Sequence, residues 1–215
     1  MGEEFCWEEL SPSLFICVSS AHKFGTDAFL LSDFAAPRRK DLCCDLGTGC
    51  GIIPLLWFRD DPPRLCYGAD IQKQAIEQLE QSIQKNGLKN RFIPLLTDLK
   101  ELSSLPCGPL DLVTCNPPYK AQGSGILSET DAERIARHEV LCTIEDVCQA
   151  ASRLLRFGGR LCLCQRPERL CDTLCAMRSA RIEPKRVRFV QQRPASAPWL
   201  FLVEGKKGSK PYMTV

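Results

Sequence analysis

The chain predicts an α/β fold, a mostly parallel seven-stranded sheet with helices on both faces, on three observations. Short apolar runs of β-like composition alternate with polar segments whose apolar residues recur at helical spacing. The early runs end in glycine or in an acid, as strand-to-helix loops do. At 215 residues, 44% hydrophobic and 25% charged, the composition suits one domain with a real core and excludes wholesale disorder, collagen and coiled coil.

In chain order, Phe5-Cys6-Trp7 and Phe15-Ile16-Cys17-Val18 flank a Ser11-Pro12-Ser13 turn and predict a hairpin. Thr26 or Asp27 would cap a short helix ending before Pro37. These form an N-terminal extension, residues 1–40, on a main domain of residues 41–215. Leu42-Cys43-Cys44-Asp45-Leu46 is the first strand of that domain; it runs through a glycine loop into a helix at residues 52–57. A second strand, residues 65–69, ends at Asp70. Ile76, Leu79 and Ile83 then mark a helix closed by Asn86-Gly87. Residues 92–96 make a third strand ending at Thr97-Asp98, and residues 110–115 a fourth, which stops where Pro117 and Pro118 forbid a central strand. A polar loop with Gly123 and Gly125 leads to a helix opened by Thr143 with Asp146, which Gly158-Gly159 should end. A fifth strand at 161–164, a helix begun by Pro167, and β-like stretches at 186–190 and 199–203 complete the pattern.

No stretch approaches the roughly 18 apolar residues of a membrane helix, and the Met1-Gly2-Glu3-Glu4 start is acidic, so a cytoplasmic protein is expected. The 14 cysteines include no C-x-x-C pair and read as reduced, small apolar residues; with only His22 and His138 available, no metal is expected. Charge is unevenly spread. Residues 1–150 hold 14 Lys and Arg against 22 Asp and Glu, whereas residues 151–215 hold 14 against 4. The basic C-terminal third suits a polyanion, although solvated basic faces would give the same composition.

The chemistry concentrates at strand ends. Asp45-Leu46-Gly47-Thr48-Gly49-Cys50-Gly51 has G-x-G-x-G spacing, which turns sharply and lets a ligand lie against bare backbone, yet it is not the dinucleotide fingerprint G-x-G-x-x-G. Asp70 ends the second strand where it could accept both ribose hydroxyls of a nucleoside, and Asp98 ends the third where it could accept from an adenine amine. Asn116-Pro117-Pro118-Tyr119 is the most specific motif. An amide oxygen and the Pro117 carbonyl form two acceptors matched to a planar NH2 group, and Tyr119 offers a face for stacking. Such an amine is a poor nucleophile because its lone pair is delocalised. Gripping both hydrogens favours pyramidalisation toward an electrophile, here a methyl sulfonium.

With these motifs the chain resembles the class I S-adenosylmethionine-dependent methyltransferases, which are Rossmann-like, and within them the bacterial tRNA(Val) adenine-N6 methyltransferases. The resemblance runs from Phe24-Gly25-Thr26-Asp27-Ala28-Phe29-Leu30-Leu31 through residues 45–51 and 116–119 to Ala136-Arg137-His138-Glu139. The Gly-Thr-Asp and Arg-His-Glu elements discriminate; Asn-Pro-Pro-Tyr alone is shared with protein-glutamine, DNA and ribosomal RNA amino methyltransferases. The resemblance implies S-adenosylmethionine bound by Asp45, Gly47, Gly49, Gly51, Asp70, Asp98 and Asn116, with Gly25, Thr26 and Asp27 closing over its amino-acid end. It implies methylation of adenine 37 of tRNA on its exocyclic amine. The flipped base would be held by Asn116, Pro117, Pro118, Tyr119 and Lys120, with Asn116, Pro117 and Tyr119 catalytic. It also implies a monomer that meets tRNA through the basic C-terminal third, without metal.

Lys120 stands where many relatives carry an aromatic, which leaves stacking to Tyr119 and Phe24. His138, between Arg137 and Glu139, reads as a hydrogen-bonded structural group rather than a base. Two other functions stay open: glutamine methylation of a translation factor, and a non-catalytic RNA-binding protein of the same fold.

Overall fold

The structure is a computed structural model that describes residues 5–19, 24–117 and 142–215. Its centre is a seven-stranded sheet in the order β5-β4-β3-β6-β7-β9-β8. The parallel strands are β3 (Leu42–Leu46), β4 (Leu65–Asp70), β5 (Phe92–Leu96), β6 (Leu110–Cys115) and β7 (Leu155–Gln165). Strand β9 (Leu200–Lys207) runs antiparallel to both β7 and β8 (Ile182–Val190). All strands except β9 therefore point their carboxyl ends to one edge. The order reverses between β3 and β6, and such a switch point opens a crevice for ligands.

Alternation along the strands builds two cores. On one face Cys43, Cys66, Phe92, Leu112, Cys162 and Cys164 pack under α1 (Thr26–Ala35), α2 (Ile52–Asp60) and α3 (Lys73–Lys85). On the other, Cys44, Leu46, Val113, Cys115, Leu161 and Phe201 pack under α4 (Ile144–Leu154) and α5 (Leu170–Ser179). Neighbouring cysteines such as Cys43 and Cys44 thus serve opposite faces, as period-two geometry requires. Burial pushes the thiols of Cys43, Cys44, Cys66 and Cys115 well above their ordinary pKa, which keeps them protonated and unreactive.

The hairpin of β1 (Cys6–Ser11) and β2 (Leu14–Val18) docks on α3 through polar pairing as well as apolar contact. The Asn86 amide accepts from Phe15 N at 2.9 Å and donates to Phe15 O, and Ser82 Oγ accepts from Cys17 N at 2.9 Å. A side-chain amide here replaces the missing neighbour strand. Helix α4 opens as its sequence suggests, with a reciprocal capping box between Thr143 and Asp146.

Two local expectations change. Helix α1 has Gly25 as its N-cap without a side-chain cap bond, so Thr26 and Asp27 lie inside its first turn. Helix α4 stops at Leu154, before Gly158-Gly159, because Leu155 already pairs with Leu110 in the sheet. The glycines fall within an 11-residue strand whose ladder shifts register, so tertiary pairing overrides the local stop signal.

Candidate functional site

The carboxyl edge gathers most of the expected residues that the structure describes. After β3 the chain turns through Gly47 (φ 66°), Gly49 (φ 55°) and Gly51 (φ 85°), all in the left-handed region. Gly47 N and Thr48 N both donate to Ala69 O, at 2.8 and 3.0 Å, which ties the loop to β4. A Cβ added at Gly47 or Gly49 would meet nothing within 4 Å, so bare backbone faces open space there. Gly51 differs: a Cβ would stand 2.5 Å from Leu79 Cδ1 and 3.3 Å from Phe92, so its missing side chain makes room for the core.

Asp70 holds this cradle open. Its Oδ2 accepts from Gly49 N at 2.9 Å and its Oδ1 from Gln72 N at 2.9 Å. Each carboxylate oxygen has about two acceptor sites, so both retain capacity for a hydroxyl donor. Next to it, Thr97 N donates to Asp70 O at 2.9 Å and draws the end of β5 alongside. Asp98 follows, its Oδ1 accepting from Lys100 N at 2.9 Å. Sequence reasoning missed Ile71 and Leu96, which are 44% and 54% exposed beside these acids and give the edge an apolar surface suited to a flat heterocycle. The signal for Ile71 was a large aliphatic immediately after a strand-ending acid; Leu96, two residues before Asp98, carried none.

Asp45 lies beneath the loop, 1% exposed, with its Oδ1 accepting from Thr114 Oγ1 at 2.6 Å. Burial pushes its pKa up to about 7, against the opposing pull of the Thr114 and Thr48 hydroxyls, with nearby Asp70 raising it further. The Thr48 hydroxyl is close enough to favour the ionised carboxylate without well-aligned hydrogen-bond geometry. Among the described residues, Asp45 Oδ2 and Thr48 Oγ1 have no hydrogen-bond partner although both are buried. An open glycine cradle above two orphaned polar atoms fits a ligand with polar, cationic character.

Asn116 emerges from β6 with Asp27 and Cys164 among the partners that orient its amide. Its Nδ2 donates to Asp27 Oδ2 at 3.0 Å, and its Oδ1 accepts from the Cys164 thiol at 3.1 Å. Asp27 Oδ1 accepts from Ala28 N at 3.0 Å, so the carboxylate is pinned against the first turn of α1. Gly25 leaves room for it: a Cβ there would stand 2.7 Å from Asp27 Oδ1. The Gly-Thr-Asp element and Asn116 are thus one structural unit across 89 residues of sequence. Spacing gave no hint of the Cys164 contact. Pro117 is described and half-buried; Pro118, Tyr119, Lys120, His138 and its neighbours Arg137 and Glu139 lie outside the described residues. Among the described residues no helix is long and apolar enough to cross a membrane.

Residues 18–177 match the methyltransferase small domain family. A tRNA1(Val) (adenine(37)-N6)-methyltransferase of Porphyromonas gingivalis is 30% identical over 192 residues, covering 86% of this chain and 74% of that protein. One from Parabacteroides distasonis is 29% identical over 185 residues, covering 86% and 76%. Among solved structures, a predicted O-methyltransferase of Agrobacterium tumefaciens superposes with a TM-score of 0.66 at 22% identity, covering 87% of this chain and 84% of that one. The M. jannaschii TYW2 complex with AdoMet gives 0.63 at 15% identity, covering 96% and 87%. A switch-point cradle, an oriented asparagine at the same edge and a match spanning well over half of the sequence agree: the chain belongs to the methyltransferase small domain family and is an enzyme of methyl transfer.

Proposed function

We propose that this methyltransferase uses S-adenosylmethionine to methylate the exocyclic amine of an adenine in tRNA, adenine 37 of tRNA(Val) by its relatives. The observation that carries the reading is the fixed amide of Asn116. With its NH2 end donating to Asp27, the amide presents its oxygen, and not a competing donor, as the group for a substrate amine. The Cys164 thiol is a weak donor, and an amide oxygen has two acceptor sites.

S-adenosylmethionine supplies an electrophilic methyl group. The cradle residues Gly47 and Gly49 would hold it against bare backbone, Asp70 would accept its ribose hydroxyls, and Asp98 with Ile71 and Leu96 would receive its base. The unpartnered atoms Asp45 Oδ2 and Thr48 Oγ1 below the loop suit its cationic amino-acid end. Asn116 and the Pro117 carbonyl accept the two hydrogens of the target amine, and these bonds strengthen as positive charge grows on nitrogen. A strong general base is unnecessary, because the methylated nitrogen is acidic and releases its proton to water. Pro118, Tyr119 and Lys120, outside the described residues, would hold the base as the family resemblance implies.

Methyl-labelled S-adenosylmethionine incubated with the protein and a mixture of tRNA and translation factors tests this reading. Label is expected in RNA and removable by ribonuclease. Label in protein that survives ribonuclease would favour glutamine methylation, where Asn116 grips a carboxamide.

A further inference from the structure

The basic C-terminal third looks from its composition like one continuous polyanion surface, but most of its charge is engaged within the fold. Arg160 and Arg186 share Glu204, Arg156 pairs with Asp111, Arg178 with Glu183, Arg169 with Asp172 and Arg188 with Asp33. Arg153, Arg166 and Lys207 donate to backbone carbonyls at Leu99, Trp199 and Ser152, and Lys185 to Lys210 O. Among the described residues the side chains left without such a partner are Arg181, Arg193, Lys206 and Lys210.

Topology separates these four. Arg181 precedes β8, and Lys206 and Lys210 lie at and after the end of β9, so all three sit at the amino edge, away from Asn116. Gly208 N donating to Arg181 O at 3.0 Å joins the two segments there. Arg193 alone lies at the carboxyl edge, in the loop of residues 191–199 between β8 and β9. That loop is exposed over most of its length, and no acid occurs from Lys185 to Val203.

The loop is also built to hold its shape. Ser196 Oγ donates to Arg193 O at 2.8 Å, Gln191 Nε2 donates to Ser196 O at 2.6 Å, and Trp199 N closes the mouth on Val190 O at 2.9 Å. Ala195 adopts φ 65°, a conformation that a non-glycine residue keeps only when its surroundings impose it. From below, Arg166 donates to Trp199 O at 3.1 Å. Arg166 stands two residues beyond Cys164, whose thiol holds Asn116, so one strand end registers both the loop and the amide.

We propose that this loop is the part of the C-terminal third that grips the substrate RNA, with Arg193 on a backbone phosphate beside the target base and the amide of Gln192 next to it. The inference rests on the tRNA reading above. A preformed loop has little backbone freedom left to lose on meeting a phosphate, and its arginine breaks no acidic pair to do so, whereas the engaged arginines would first have to leave their partners.

The test measures tRNA binding directly, by mobility shift over a range of salt, for the wild type, Arg193→Glu, Arg193→Gln and the charge-matched Arg181→Glu. Among the described residues the Arg193 side chain makes no hydrogen bond or ion pair, and unchanged melting would verify that the fold does not need it. Arg193→Glu should weaken tRNA binding about tenfold or more, and Arg193→Gln less. The log–log salt slope should become shallower by about one. Arg181→Glu and S-adenosylmethionine affinity should stay within about twofold of wild type. Equal losses at Arg193 and Arg181, or wild-type binding by Arg193→Glu, would overturn the proposal. A protein that binds tRNA through Arg193 without methylating it keeps the interface and rejects the substrate reading. One that binds no tRNA, while methylating another acceptor, rejects both.

Discussion

Asn116 is held by Asp27 on one side and Cys164 on the other, so the orientation of a single amide depends on two residues remote in sequence. Asp27→Ala should lower turnover on the order of tenfold or more, because the amide loses the partner that keeps its oxygen outward. If orienting Asn116 is the main work of this carboxylate, cofactor affinity, read by calorimetry, should change far less than turnover. A purely structural role would instead lower melting temperature and leave turnover per folded molecule intact. Asp45 makes a different prediction. Its folded pKa of about 7 lies above the ordinary 3.8, so its stability penalty is absent below about pH 4, grows as pH rises and is complete above 7. Asp45→Asn keeps an acceptor for Thr114 and removes that penalty. The stability difference, variant minus wild type, should therefore rise between pH 4 and 7 to a value on the order of 4 kcal/mol, measured by urea unfolding at several pH values.

Helix α1 shows what an element owes to distant charge. Its last carbonyls are capped by arginines of β7 and β8, on the face of the sheet that α1 covers: Arg186 donates to Phe34 O at 2.8 Å and Arg160 to Ala35 O at 2.9 Å. The same two guanidiniums meet Glu204 Oε2, each at 3.1 Å, and Arg186 lies 4.0 Å over the Phe34 ring. Since α1 carries Asp27 at its other end, this clamp also sets where Asn116 is held. Arg160→Met should cost about 2 to 3 kcal/mol in a denaturant titration, by orphaning helix carbonyls and weakening the pairing of Glu204. By contrast Thr143→Ala, which breaks the box at the start of α4, should cost about 1 kcal/mol. The element types were legible because periodicity reports burial: Ile76, Leu79 and Ile83 mark α3, and the Asn86-Gly87 stop falls where the helix ends. The end of α4 was not legible, because a partner strand decided it. Nor was the clamp on α1, since an arginine in sequence reads the same whether it caps a buried helix or faces water.

At the scale of the whole molecule, the switch point between β3 and β6 brings a glycine cradle, two strand-end acids and an oriented amide to one edge. The strand-end positions of Asp70, Asp98 and Asn116 could be read from the sequence, because a parallel sheet sends every carboxyl end to the same side. What could not be read was the network joining them: Asp70 bracing Gly49, Asp27 orienting Asn116, and Asp45 buried under the loop instead of facing it. The uneven charge was visible, but its use was not, since pairing within the fold leaves few cations for a partner. The most direct test of the central claim, that Asn116 grips an exocyclic amine at this edge, is mass spectrometry of nucleosides from tRNA treated with the protein and S-adenosylmethionine. The wild type should yield N6-methyladenosine, and Asn116→Ala should yield it ~10²-fold more slowly at unchanged cofactor affinity. Equal rates for the two proteins, or a methyl group on any atom other than an exocyclic amine, would contradict it.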